Sequence, residues 1–186
     1  MRVIGGSLKG RRLFSPRWEG LRPTSDRLRE TLFDVVGSRI EGLRVLDGCA
    51  GTGALGIEAL SRGADHAVFM ERDARAVALI KRNLEHCSLN PRSTVRRATL
   101  PQALRRPVAG PFDFILLDPP YGASDIGAIL TAAGTALAAD GILVIERARG
   151  CALPDVDGLK SQREVGSGNG VIEFYSAVDV CVPATE

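Results

Sequence analysis

The chain has 186 residues, of which 45% are hydrophobic and 25% are charged, a composition typical of a soluble globular protein with one core. No window approaches the ~20 consecutive apolar residues of a membrane span, and the N-terminus lacks the apolar core of a signal peptide, so we expect a cytoplasmic protein. The four cysteines are scattered and only two histidines accompany them, which argues against a zinc site or a disulfide framework.

The net charge of +2 conceals an asymmetry between the two ends of the chain. Residues 1–29 contain eight basic and two acidic residues, so this segment carries +6 and the remainder carries −4. A basic arm on a mildly acidic body favours a polyanionic partner, above all nucleic acid. The alternative is an arginine-rich hairpin that is merely solvated. The basic residues are Arg2, Lys9, Arg11, Arg12, Arg17, Arg22, Arg27 and Arg29.

The first predicted elements form a small N-terminal unit. Residues 2–14 predict a hairpin with strands Arg2–Gly5 and Arg11–Phe14, joined through a glycine-containing turn. After a connector with proline and glycine, Thr24 or Ser25 is predicted to cap a helix. Its apolar face consists of Leu28, Leu32, Phe33 and Val36, and Gly37 and Gly42 end it.

Strands and helices then alternate. The predicted strands are Val45–Asp47, His66–Met70, Thr94–Ala98, Phe112–Leu117, Gly141–Glu146, Leu159–Val165 and Val171–Val178. The predicted helices are Ala54–Arg62, Asp73 to about His86, a short one near Pro101–Arg105, and one from Ser124 or Asp125 to Ala138. This order predicts an α/β, Rossmann-like fold with a mostly parallel, doubly wound sheet that ends in an antiparallel hairpin. We divide the chain into a basic hairpin-and-helix extension (1–42), a main domain (43–178) and a tail (179–186).

A glycine-rich segment follows the first strand of the main domain. Residues 51–56 read G-x-G-x-x-G and open a helix, while Glu71 ends the next strand. This pattern is typical of a nucleotide site, in which the acid holds ribose hydroxyls, and it leaves an NAD enzyme possible. However, Asp47 stands four residues before the first glycine, where it would repel a pyrophosphate but could hold an ammonium group. S-adenosylmethionine carries a ribose and an ammonium without phosphate, so it is favoured over NAD and over a glycine turn that only packs helix on strand.

The tetrapeptide Asp118-Pro119-Pro120-Tyr121 directly follows the apolar run Phe112–Leu117, which predicts a strand buried on both faces. The carboxyl end of such a strand is where open α/β sheets bind ligands. A carboxylate and a proline carbonyl could accept the two N–H groups of a planar amine, and the tyrosine could stack on its ring. The alternative is a strand that ends in a Pro-Pro turn with a surface tyrosine.

These segments together resemble class I S-adenosylmethionine-dependent amino-methyltransferases. More narrowly, Arg2–Gly6, Leu21–Glu30 and Ala54–Ala64 resemble the bacterial RsmD family, whose members methylate N2 of a guanine in 16S ribosomal RNA. The resemblance runs from residue 2 to about residue 178. Its N-terminal block is the most specific part, because the Asp-Pro-Pro-Tyr motif is shared with DNA adenine methylases.

The resemblance implies a class I methyltransferase fold, S-adenosylmethionine as cofactor, no metal, and 16S rRNA as partner, in a small-subunit assembly particle, for a monomeric enzyme. Implied catalytic residues are Asp118, Pro119, Pro120 and Tyr121. Implied cofactor contacts are Asp47, Ala50, Gly51, Thr52, Gly53, Glu71 and Arg72. Implied RNA contacts are Arg2, Lys9, Arg11, Arg12, Arg22 and Arg27. Family members often carry a polar or acidic residue after the third strand to hold the adenine amine, but Ala98-Thr99-Leu100 stands here, so no adenine contact is assigned.

Two other functions fit parts of the pattern. A DNA adenine-N6 methyltransferase uses the same tetrapeptide, although no separate target-recognition domain is visible in 186 residues. A catalytically silent RNA-binding assembly factor would explain the basic arm but not Asp118 or the paired glycines. Adenosylmethionine binding and the identity of the methylated nucleoside separate the three.

Overall fold

A computed structural model describes residues 1–16, 18, 25–105, 111–120, 123–167 and 170–178. The helices in these ranges are α1 Asp26–Val36, α2 Ala54–Ser61, α3 Ala74–His86 and α4 Ile126–Ala136. The strands are β1 Arg44–Asp47, β2 His66–Glu71, β3 Ser93–Arg97, β4 Phe112–Leu117, β5 Leu137–Ala148, β6 Leu159–Ser167 and β7 Gly170–Ala177. None of the helices within the described ranges combines the length and apolarity needed to cross a bilayer.

The strands form one sheet in the order β3-β2-β1-β4-β5-β7-β6. The pairings from β3 through β5 are all parallel, whereas β7 is antiparallel to both β5 and β6. The predicted Rossmann-like sheet with its terminal antiparallel hairpin is therefore confirmed. Because the chain winds outward in opposite directions from β1 and β4, a crevice opens between the carboxyl ends of these two strands.

Alternate strand residues enter two apolar layers, one on each face of the sheet. Leu116 and Val144 pack in the layer that α1, α2 and α3 cover, whereas Leu117 and Ile145 pack in the layer that α4 covers. All residues of β4 except Asp113 are buried, which is why this strand appears in the sequence as a nearly continuous apolar run.

The predicted N-terminal hairpin is present in an irregular form. A single antiparallel bridge joins Arg2 to Arg12, and a 3-10 helix, Gly6–Leu8, makes the turn. The α1 helix begins as predicted: the Ser25 Oγ accepts a hydrogen bond from the Leu28 amide at 3.1 Å. The glycine after it, Gly37, has a φ of +60°.

A buried charge network fixes this N-terminal unit to α2. Glu58 is fully buried, and its carboxylate accepts hydrogen bonds from the Ile4 and Gly5 amides at 2.8 and 2.7 Å. The same carboxylate pairs with Arg62 at 2.9 Å and with the fully buried Arg29 at 3.4 Å. Arg29 in turn donates to the Arg2 carbonyl at 2.7 Å. These bonds fix the backbone of the arm, which carries the basic side chains, against the main domain.

Two predicted elements differ from the structure. The short helix near Pro101–Arg105 is wrong: the chain there makes turns, in which Ala103 donates to the Thr99 carbonyl and Leu104 to the Pro101 carbonyl, too few bonds to propagate a helix. The fourth main helix ends at Ala136 and not at Ala138, because Leu137 already pairs with Phe112 at the start of a longer fifth strand.

Candidate active site

Three carboxylates converge at the crevice between β1 and β4. Asp47 ends β1, Glu71 ends β2, and Asp118 follows β4. Their proximity is reflected at Cys49, whose pKa rises to about 12 because of burial and repulsion from all three acids. A thiol with so high a pKa stays protonated and is no nucleophile. Among the described residues, no group of three or more His, Cys, Asp or Glu side chains has the arrangement of a metal site.

Asp47 lies beneath the glycine-rich loop and is fully buried. Its Oδ2 accepts a hydrogen bond from the Gly56 amide at 2.9 Å, whereas its Oδ1 is buried with no hydrogen-bond partner. Burial, with repulsion from Asp118 and Glu71, raises the pKa of Asp47 to about 7 despite the Gly56 amide. An unpaired buried oxygen on an acid of raised pKa is suited to receive a cationic donor.

Glycine is required at position 56 by close packing. A Cβ there would lie 2.3 Å from the Phe69 ring and 3.2 Å from Asp47 Oδ2. The third glycine of the G-x-G-x-x-G segment thus lets α2 approach β2 and lets its amide reach the buried carboxylate.

The loop itself is held at the end of β2, by one bond to a side chain and one to the backbone. The Gly51 amide donates to Glu71 Oε2 at 2.9 Å, and the Ala50 amide donates to the Met70 carbonyl at 3.1 Å. Gly51 and Gly53 have φ values of +53° and +77°, in the left-handed region that favours glycine. Gly53 also caps α2, so the helix N-terminus points toward the crevice.

Glu71 accepts from two backbone amides, Gly51 and, at 2.8 Å, Asp73. Each carboxylate oxygen retains a further lone pair, and the side chain is half-exposed, so ribose hydroxyls could also donate to it. Arg72, the next residue, is exposed. Its charge lowers the pKa of Cys49 and so opposes the rise that the three acids cause.

The predicted contact residue Thr52 is buried, and its contacts are with protein. Its carbonyl accepts from Asn83 Nδ2 at 3.1 Å, and its hydroxyl faces the Met1 sulfur at 3.5 Å. The fully buried Asn83 also exchanges two hydrogen bonds with the Phe14 backbone, at 2.8 and 3.2 Å. Sequence reasoning missed Asn83, although a polar residue between Ile80 and Leu84 on an apolar helix face could have signalled it.

Asp118 is half-buried at the end of β4, Pro119 is buried and Pro120 is exposed. The Pro120 carbonyl accepts from the Ala123 amide at 3.2 Å. Tyr121 lies outside the described residues. Sequence reasoning also missed Glu146, which lines the same recess as Asp118. It follows Ile145, the residue of β5 that pairs with Leu117.

The arm residues named as RNA contacts are exposed where the structure describes them, namely Arg2, Lys9, Arg11, Arg12 and Arg27. Arg22 lies outside the described residues. Sequence reasoning missed Arg82 of α3, whose guanidinium carbon lies 3.7 Å from the centre of the Phe14 ring of the arm. Arg75 of the same helix lies 5.2 Å from the centre of the Trp18 ring, but it forms an ion pair with Asp73 at 2.9 Å.

Comparison with known proteins places this site in a family. A family model described as "Conserved hypothetical protein 95" matches residues 1–176. The chain is 40% identical over 162 residues to "Putative rRNA methyltransferase YlbH" of Bacillus subtilis, covering 85% of this chain and 88% of the relative. It is 41% identical over 124 residues to "Ribosomal RNA small subunit methyltransferase D" of Haemophilus influenzae, covering 65% of this chain and 64% of that relative.

Solved structures agree with the sequence relatives. "Putative methyltransferase yhhF from Escherichia coli" superposes with a TM-score of 0.84 at 29% identity, covering 95% of this chain and 97% of the other. The sheet is thus that of a class I methyltransferase. The family match spans nearly the whole chain, arm included, and the chain therefore belongs to the RsmD family, that of the conserved hypothetical protein 95 model.

Proposed function

We propose that this protein transfers a methyl group from S-adenosylmethionine to the exocyclic N2 amine of a guanine in 16S ribosomal RNA. The observation that carries the proposal is Asp118, fixed between the buried strand β4 and the buried Pro119, beside the loop that Asp47 and Glu71 hold. The printed names of the relatives, which are ribosomal RNA methyltransferases, support the substrate class.

The cofactor site is built for a ligand with hydroxyls at one end and a cation at the other. Glu71 would accept from the ribose hydroxyls, with Arg72 beside it, and Asp47 Oδ1 would accept from the ammonium group. Gly51 and Gly53 allow close approach of a ligand to the backbone. Adenosylmethionine, when bound, would supply a methyl group that its sulfonium sulfur makes electrophilic, with the neutral thioether as the leaving group.

The remaining task of the protein is to position the amine and stabilise its charge. A guanine amine is conjugated and weakly nucleophilic. When Asp118 and the Pro119 carbonyl accept its two N–H groups, its lone pair is held toward the methyl. The Asp118 carboxylate then stabilises the positive charge that develops on nitrogen and can take the released proton. Tyr121 would stack on the extruded base.

The basic arm and α3 are proposed to hold the RNA backbone. The arm's exposed cations project from a unit that buried ion pairs fix in place, so they form a rigid phosphate-binding surface. Arg82, next to the Phe14 ring, adds a cation on the neighbouring helix. A monomeric state, a cytoplasmic location and an assembly particle as substrate remain predictions.

Transfer of a labelled methyl group tests the proposal. The purified protein is incubated with labelled adenosylmethionine and, separately, 16S rRNA, small ribosomal subunits and double-stranded DNA, and the product nucleosides are identified by mass spectrometry. We expect N2-methylguanosine from rRNA or subunits, and none with an Asp118→Ala variant. N6-methyladenine from DNA would assign the protein to the rival class of enzyme. Cofactor binding without transfer to any substrate would indicate a silent assembly factor.

A further inference from the structure

A recess next to Asp118 lies outside the predicted cofactor contacts. Its walls are apolar side chains of α1, α2 and the sheet, and it is shallow and open to solvent on one side. Two carboxylates, Asp118 and Glu146, line it together with side chains that include Leu28, Leu32, Leu55 and Val144.

The register of the sheet brings these two carboxylates together. Leu117 of β4 pairs with Ile145 of the parallel strand β5, so Asp118 and Glu146 follow at the same level on adjacent strands. Neighbouring strands lie ~4.8 Å apart. Leu117 and Ile145 both enter the layer under α4, so the residues after them point to the opposite face, which α1 and α2 cover. Both carboxylates therefore face the recess from one side.

Two carboxylate side chains that converge on one recess from adjacent strands can both reach one edge of one base. Guanine presents two neighbouring donors on its Watson–Crick edge, the N2 amine and N1–H, whereas adenine has an unprotonated acceptor at N1. A carboxylate opposite N1 attracts guanine and repels adenine. The apolar walls strengthen this discrimination because electrostatic interactions are less screened beside them.

We infer that Glu146 accepts the N1–H of the target guanine while Asp118 accepts from its N2 amine, which makes Glu146 the residue that selects guanine. This inference rests on the proposed function. A carboxylate has about four acceptor positions, so contacts that Glu146 makes within the protein are compatible with the role. A site built to bond a donor of its substrate strongly rejects an analogue that lacks it.

Replacement of the target guanine by an analogue without N1–H tests the inference. The methylated guanine is first mapped, then replaced by 2-aminopurine in 16S rRNA that is reconstituted into small subunits. 2-Aminopurine keeps the reactive 2-amine but has an unprotonated N1 and no O6, so the comparison of Glu146→Gln with the wild type isolates the contact at N1. Single-turnover methylation of both substrates is measured at saturating adenosylmethionine with the wild type and with Glu146→Gln. Glu41→Gln is the control. Glu41 is exposed and lies shortly before β1, near the amino ends of the parallel strands and away from their carboxyl ends.

We expect the wild type and the control to methylate guanine at least ~10²-fold faster than 2-aminopurine. Glu146→Gln should slow guanine roughly tenfold, because a charged acceptor becomes neutral, and leave 2-aminopurine unchanged or faster. Glu146→Asp, which keeps the charge, should retain the preference for guanine. Equal losses on both substrates, or a matching loss of adenosylmethionine affinity, would show that Glu146 is only structural. If the wild type methylates no guanine, the proposed function fails as well.

Discussion

The buried carboxylate of Asp47 makes cofactor binding depend on pH in a way that can be measured. Its pKa is raised to about 7, chiefly by burial, so at neutral pH about half of the molecules hold a proton there. An ammonium group on Oδ1 would favour the ionised form, and binding would expel that proton. Adenosylmethionine affinity should therefore rise with pH, by about 50-fold between about pH 5 and pH 7, and level off above. Over this range the cofactor's own amine, with a pKa of about 7.8, stays charged.

Calorimetry in buffers of different ionisation enthalpy measures both the affinity and the protons released. Asp47→Asn keeps an acceptor for the Gly56 amide but does not titrate, so its affinity should be nearly flat over the same window. The control is Asp113→Asn, since Asp113 also accepts a backbone amide, that of Arg44 at 2.8 Å, but lies at the amino end of β4. Equal pH dependence in the wild type and Asp47→Asn would refute contact between Asp47 and the cofactor.

The raised pKa of Asp47 also makes the stability of the cofactor-free protein depend on pH. Asp47 has an ordinary pKa of 3.8, so between about pH 4 and pH 7 the folded state keeps a proton that the unfolded state has lost. Folding stability contributed by this group therefore falls as the pH rises through that window, by at most ~4 kcal/mol. Urea unfolding at a series of pH values should show a smaller fall for Asp47→Asn.

Three further predictions concern the cofactor, the arm and the buried network. Glu71→Ala should weaken adenosylmethionine binding by ~1.5–3 kcal/mol in calorimetry, and undiminished affinity would remove Glu71 from the site. Neutralising each of four arm cations should reduce the slope of log affinity for RNA against log salt by ~0.7–0.9 and leave cofactor affinity unchanged; an unaltered slope would reduce the arm to a solvated hairpin. These cations are Arg2, Lys9, Arg11 and Arg12. Glu58→Gln should lower the free energy of unfolding by about 1–3 kcal/mol, because Arg29, Arg62 and two backbone amides lose a charged acceptor while Arg29 keeps Asp26 at 2.6 Å, whereas the exposed Glu85→Gln should change it by less than ~0.5 kcal/mol in the same urea titration.

Local chemistry explains why much of the fold could be predicted from sequence. The helix caps Ser25 and Asp73 and the positive-φ Gly37 act on their own neighbours, so each carries its signal within a few residues. The buried strand β4 is recognisable because both of its faces are covered. The turn at residues 101–105 was misjudged because a short polar-apolar alternation fits either one helical turn or a loop.

Buried charges could not be predicted from local pattern. Arg29 and Glu58 look like solvent-facing positions of their helices, yet both are fully buried, since each meets partners more than 25 residues away. Gly6 is explained in the same way: a Cβ there would lie 1.9 Å from the Ser61 carbonyl. The first and last of the segments that carry the family resemblance, around Gly6 and Ser61, are thus the two halves of one contact.

In the candidate site, too, some features have a local signal in the sequence and others depend on distant contacts. The acids at the ends of predicted strands converge as expected, because parallel strands deliver their carboxyl ends to one edge. The place of Glu146 beside Asp118 depends on the strand order, in which β4 and β5 are neighbours, and on a register that no single segment encodes. Asn83 depends on the arm packing across α3.

The most direct test of the central claim is single-turnover methyl transfer to small ribosomal subunits by the wild type and Asp118→Asn, at saturating adenosylmethionine. Asparagine keeps an acceptor oxygen but removes the negative charge that stabilises the developing cation. The account predicts N2-methylguanosine as product, a rate roughly 10²–10³ lower for Asp118→Asn, and nearly unchanged cofactor affinity. An Asp118→Asn enzyme that works at full speed, or a product methylated on adenine, would contradict it.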